Sequence, residues 1–403
     1  MNTNRIKQIF VELAQAMPEP GFQLSDKVGP GPVILTEPLA VRGNLVLYGE
    51  IATIFFEALE KITEAIRSDE TWNRNAVEEI FVHCLKEVAQ APLNTRSEAI
   101  KYQAERLMDE LNRHPSIWTM DLSVYGMHLN CAGLRFGRLD FISDRVKSPI
   151  SVPGLADASC EDEVLFARVC VEAIGKDAAL DRARGLVEQH LRILNALCAR
   201  YLPSATRIFH TAEAFRSVAV SRGHEMSEAS SGATFHFKNL GLLLERHDLE
   251  EFLKQRGGES ISTMLREPNP FAKRVLNAFE IAGTACLERR PHLSFLLFAI
   301  ALESLILGET NTIELKFQLG VRVAHLLSEN VADRRALVKH LSDLYRIRSK
   351  IVHSGDTEVA DSQVRAIEDM CLGALIAIAR SAGFGPMTRA EDLDDWFNER
   401  LLR

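Results

Sequence analysis

No Cys-x-x-Cys pair occurs in the 403 residues, and the seven cysteines are odd in number. That excludes a zinc knuckle and a disulfide framework, and makes reduced, mostly buried thiols in a cytoplasmic protein the expectation. No long apolar run is present either. The most apolar stretch, Leu293 to Leu307, is shorter than the roughly 18 residues that span a bilayer, and it carries Glu303. It reads as a buried core helix. The N-terminal MNTNRIKQIFVELAQAM has a helix period with charges throughout, so the apolar core of a signal peptide is missing. Neither export nor a membrane partner is expected. An excess of positive charge is absent too: the formal net charge is −8, so any nucleic-acid contact must come from a local basic patch. The chain contains no internal repeat, no G-x-x-x-x-G-K-[ST], no G-x-S-x-G and no H-E-x-x-H, and neither a cofactor nor a metal is expected. His247-Asp248 is a lone pair that reads as two polar side chains on the surface.

What is there is an average globular composition, 46% hydrophobic and 25% charged, in a chain long enough for two or three domains. Residues 1–115 carry helix-period runs at Asn4–Met17, Ile51–Arg67, Asn75–Gln90 and Ser97–Arg113, the first two separated by a Pro- and Gly-rich loop. Residues 116–265 read as an α+β accessory or sensor region. Its strands are expected in IWTMDLSVYGMHL, LRFGRLDFI, Val164–Ile174, Ala214–Ser221 and Ala233–Asn239, with a turn at Asn130–Gly133 and a polar turn at SRGHEMSEASSG. A helix capped by Asp177 is expected to run to Tyr201. Residues 266–403 read as helical throughout. Pro291 opens one helix, and an Asn311–Glu314 capping box opens a second that ends near Ser328. A third spans Val331–His353 with Gly355 as its stop, and a fourth covers Glu358–Ala382. A Thr388–Glu391 capping box opens a short terminal helix bearing Trp396 and Phe397. The expected class is therefore mixed: a helical and α+β N-terminal region followed by an all-α four-helix bundle.

The helix RRALVKHLSDLYRIRSKIVHSG places Arg348 on one stripe with Leu337, Leu341, Leu344 and Ile351. A guanidinium on an apolar stripe is costly unless it is paired or lines a cleft. His353 falls at the helix end, where the negative pole of the dipole favours imidazolium. A histidine there can serve as general acid or base, and an inward arginine can stabilise charge on a phosphate. The same spacing equally suits an arginine paired to a structural carboxylate and a histidine that only caps carbonyls. Glu303, alone in its apolar helix, needs a cation, and Arg322 or Arg348 is the inward candidate. Between Arg334 and His353 there are six Arg or Lys against one Asp. That fits either a solvated face or an RNA backbone, with Arg346 and Lys350 as the outward candidates.

Leu344-Tyr345-Arg-Ile-Arg348-Ser349-Lys-Ile-Val-His353-Ser-Gly355 resembles the signature helix of the HEPN superfamily, in particular its Apea-like domains. The upstream A-L-E-S-L with Glu303 and V-R-V-A-H-L-L with Arg322 are similar to that family as well, and the resemblance covers roughly 269–383. It implies a homodimeric four-helix bundle that cuts RNA without metal. His353 would handle the 2′-hydroxyl or leaving-group proton and Arg348 would steady the phosphate, with Glu303, Arg322, Tyr345 and Ser349 in support. It also implies the setting of a toxin or abortive-infection effector in bacterial antiviral defence, with a phage-derived or protein activator. Two positions depart from the pattern. Ser349 stands where many active members have Asn, Asp or His, and Gly355 stands where modifiable toxins have Tyr. The alternatives are a non-catalytic module that binds RNA or a nucleotide, and a structural dimerisation bundle.

Overall fold

The computed structural model describes residues 3–16, 39–42, 45–48, 57–58, 60–61, 74–111, 115–125, 127–129, 133–147, 161–173, 176–199, 210–221, 224–228, 242–244, 246–307, 315–355 and 357–401. Helices and strands are both present, so the mixed class holds. The described chain groups into two compact units: 1–119 with 171–182 and 217–228, and 120–170 with 183–216 and 229–403.

In the first unit, α1 (Thr3–Ala16), α2 (Arg74–Gln90) and α3 (Arg96–Leu111) pack together. The apolar stripes that the helix period dictates bury Phe10, Leu13, Phe81, Leu85 and Leu107, and the Phe10 and Phe81 rings meet edge to face at 5.5 Å. Strands β1 (Leu39–Arg42) and β2 (Leu45–Tyr48) form an antiparallel pair. Most of the Ile51–Arg67 helix expected from the sequence lies outside the described residues.

The remaining strands are β3 (Ser116–Tyr125), β4 (Met127–Leu129), β5 (Leu134–Phe136), β6 (Leu139–Lys147), β7 (Glu161–Ala173), β8 (His210–Ser221), β9 (His224–Glu228) and β10 (Leu242–Leu244). A six-stranded sheet has the order β5-β6-β7-β3-β8-β9, and β10 pairs in parallel with β4. Two expectations need correction. LRFGRLDFI is a hairpin, because Gly137 takes φ 61° and lets the chain reverse between β5 and β6. The polar SRGHEMSEASSG run contains β9, whose backbone pairing with β8 does not require apolar side chains. The Ala233–Asn239 strand lies outside the described residues.

Helix α4 (Lys176–Cys198) begins one residue before Asp177, which therefore sits inside its first turn. Within the second unit its His190 anchors the β5–β6 turn. The ring Nδ1 lies 2.7 Å from the Leu186 carbonyl, which fits an Nδ1–H donor, and Nε2 accepts the Arg138 N–H at 3.2 Å. The Gly137 N–H donates to Ser262 Oγ at 2.8 Å. Burial, aided by the nearby Arg138 charge, pushes His190 down to about 4 against the Leu186 bond. Because the folded value lies below the unfolded one, the neutral ring stabilises the native state above pH about 6.5, and this contribution is lost as the pH falls toward 4. His190→Leu should therefore flatten the stability profile across that window, where the parent loses roughly 3 kcal/mol from this group. Urea titrations at several pH values that gave parallel profiles would sink this assignment.

Helices α5 (Arg246–Gln255), α6 (Gly258–Arg266), α7 (Pro270–Leu287), α8 (Pro291–Ile306), α9 (Leu315–Leu327), α10 (Val331–Ser354), α11 (Asp361–Arg380) and α12 (Asp392–Leu401) complete the second unit. The final run of helices thus begins with α5 at Arg246, inside the segment read as α+β. Asn269 caps α7 by accepting the Ala272 N–H at 2.7 Å, with Pro270 as the first helical residue. Pro291 opens α8 as its sequence position implies. Helix α8 is apolar nearly all round and touches α7, α9, α10 and α11, burying Phe295, Phe298, Leu302, Leu305 and Ile306. Among the described residues no helix is long and apolar enough to cross a membrane. Gly283 lets α7 lie against α4: a Cβ there would stand 1.8 Å from the Arg192 carbonyl oxygen. Of the five described cysteines four are buried and Cys170 is exposed.

Candidate functional site

Helix α10 is set by its two ends. Asn330 Oδ1 accepts the N–H groups of Ala332 and Asp333, and Gly355 stops the helix in the left-handed conformation at φ 65°. Between them the expected stripe faces inward: Leu341, Leu344 and Ile351 are buried, and Leu337 is half-buried. Arg348 lies on that stripe, and the residue it meets is Glu303 of α8.

The cluster consists of three side chains. Tyr345 Oη donates to Glu303 Oε1 at 2.6 Å, and Arg348 Nη2 donates to Oε2 at 3.4 Å. Arg348 Nε approaches Oε1 at 3.3 Å, but its N–H is buried without a hydrogen-bond partner. The side chains of Arg348 and Glu303 are 30% and 25% exposed, so the pair is half-sheltered at the edge of the bundle. Burial and the Glu303 charge push the Tyr345 phenol well above its ordinary value. Its proton therefore stays with the hydroxyl, which acts as a fixed donor to the carboxylate. Glu303→Gln keeps an oxygen for Tyr345 but removes the counter-charge that holds Arg348, so a modest stability loss of about 1 kcal/mol is expected in thermal denaturation. A loss as large as that of a core truncation would show that the carboxylate does more than this.

Arg322 does not join the cluster. It donates to Asp394 Oδ1 at 2.5 Å and to the Ile306 carbonyl at 2.8 Å, with its guanidinium 5.2 Å from the Phe397 ring centre. Asp394 is shared with Arg274, whose Nη1 lies 2.9 Å from Oδ2 and which also donates to the carbonyls of Leu305 and Ala390. Both arginines are buried, at 8% and 9% side-chain exposure. The sequence reading missed this triad. Its one local signal is Arg274 within the apolar pattern of α7. The Thr388–Glu391 capping box is also replaced: Asp392 Oδ2 accepts the N–H groups of Thr388 and Arg389, and α12 starts at Asp392. The Asn311–Glu314 box lies outside the described residues, and the helix expected from Glu358 begins at Asp361.

His353, Ser349, Lys350 and Arg346 are exposed, and Arg346 forms an ion pair with Asp343 one turn away. His353 sits in the last turn of α10, five residues beyond Arg348, which is about 140° around the helix. One copy of the helix thus turns Arg348 toward α8 and His353 toward solvent. Among the described residues no group of three or more His, Cys, Asp or Glu is arranged to hold a metal ion. Chemically the arrangement offers an anchored guanidinium with a spare N–H, a solvent-facing imidazole at a helix C-terminus, and a basic helix between them. Comparison of the chain with protein-family models, with curated proteins and with solved structures gives no match in any of the three, so the chemistry of these side chains is the ground on which a function is assigned.

Proposed function

We propose that the chain is a metal-independent RNA endonuclease of HEPN type that acts as a homodimer. The observation that carries this reading is Arg348: it occupies an apolar stripe, its bond to Glu303 is long, and its Nε–H makes no hydrogen bond although Glu303 Oε1 stands 3.3 Å away. An unsatisfied buried donor costs about 1–3 kcal/mol, so Glu303 leaves the guanidinium incompletely satisfied, and a phosphate oxygen could meet its exposed edge. His353 removes the proton from the ribose 2′-hydroxyl. The 2′-oxygen then attacks phosphorus as the bond to the 5′-oxygen breaks, and an imidazolium returns a proton to that leaving oxygen. The products are a 2′,3′-cyclic phosphate and a 5′-hydroxyl. Since one α10 turns the two groups to different faces, a second copy supplies the complementary pair. On the same reading the chain is an effector of bacterial antiviral defence, released by a phage-derived or protein activator.

A second reading, a bundle that binds RNA without cutting it, is favoured by Glu303, which already occupies the charge of Arg348. The experiment that separates them is cleavage of single-stranded RNA by the purified chain in EDTA, with end-group analysis of the fragments. Cyclic phosphate ends that disappear in Arg348→Ala and His353→Ala support the nuclease. Binding without fragments supports the second reading.

A further inference from the structure

A separate groove of about 580 Å³ runs between α9 and α10, on the side of α10 away from Glu303. Its floor is apolar, with Val321 and Val338, and at one end stands Phe317, 61% exposed. One exposed ring is ordinary on a protein surface, but here it shares a groove with several cations, a combination that can stack a base while pairing its phosphates. Along one wall lie Arg335, Lys339 and Arg346. These positions recur within about 40° on the helix circumference and extend over about 16 Å of its axis, close to five nucleotides at the 3.4 Å spacing of a stacked strand. The acidic residue of this wall, Asp343, is held by Arg346. In a chain of net charge −8 this is a local field of the opposite sign.

We infer that this groove binds single-stranded nucleic acid, with a base stacked on Phe317 and the phosphates following Arg335, Lys339 and Arg346. The inference extends the reading of the chain as an RNA-acting protein by naming an unpaired strand as what it holds. An acidic peptide would satisfy the cations but leave the ring unused, whereas a nucleic-acid strand satisfies both. A duplex keeps its bases stacked inside and has none to offer Phe317.

The test is fluorescence anisotropy of the full chain with a labelled 2′-O-methyl oligouridine of about twelve nucleotides. That probe lacks the hydroxyl nucleophile, so binding is read whether or not the chain cleaves RNA. Phe317→Ala should weaken binding roughly tenfold, and Phe317→Trp should retain it. Neutralising Arg335 and Lys339 together should lower the slope of log affinity against log salt by about 1.4. Lys273→Gln, exposed on α7 and outside the groove, should bind as the parent does. Absence of binding by the parent, parental affinity in Phe317→Ala, or equal affinity for a duplex of the same length would overturn the groove assignment. Cleavage that persists alongside any of these leaves the nuclease reading standing, and strand binding without cleavage does the reverse.

Discussion

Replacement of His353 or Arg348 by alanine is expected to remove EDTA-resistant cleavage of single-stranded RNA without altering the helical content of the protein. Loss of a positioned general acid or base slows a reaction by about 10²–10⁴, and loss of a donor that stabilises developing charge by about 10²–10³. Against the background of an ordinary RNA assay either deficit reads as no activity. His353 is exposed at the end of α10, so its removal leaves no cavity and its variant is the cleaner of the two. Arg348→Ala also leaves Glu303 without its cation. Arg348→Lys provides the control, because an ammonium can restore the charge but not the fork of N–H donors. The double variant should be no worse than the poorer single one if both groups act on the same phosphate. Fragmentation at the parental rate by His353→Ala would end the catalytic assignment.

The second large effect concerns stability. Asp394→Ala should cost about 3–5 kcal/mol, toward the lower end because the carboxylate is itself 20% exposed. The reason is that Arg274 and Arg322 would remain buried with no anion between them. Asp394→Asn keeps one acceptor and should lose less, and replacing Arg274 and Arg322 together by methionine in the Asp394→Ala background should recover much of the deficit. Guanidinium denaturation of the four proteins gives the comparison. Equal midpoints for parent and Asp394→Ala would show that the triad contributes nothing.

The helical part of the fold was legible where local chemistry decides it. Pro291 and Gly355 mark helix ends because of their backbone properties, and the apolar run of α8 has nowhere to go but the core. Arg348 was legible for the same kind of reason, as a charge on an apolar stripe. Its partner was not: Glu303 had two inward cations to choose from, and the choice is made by Asp394, which lies 72 residues from Arg322 and engages it instead. Pairing over such separations is a property of packing, and no pattern near Arg322 signals it. The β5–β6 hairpin was missed for the opposite reason. Gly137 was visible in the sequence, but alternating residues on both sides concealed a turn of two residues. The polar strand β9 could not have been found from periodicity, since a ladder is made by backbone groups and needs no apolar alternation.

Asp394 also bears on the order in which the molecule is made. Domains assemble as their residues emerge during synthesis, and α7 and α9 emerge long before residue 394. Until then Arg274 and Arg322 lack the carboxylate that offsets their burial, so this triad can close only after α12 has been made.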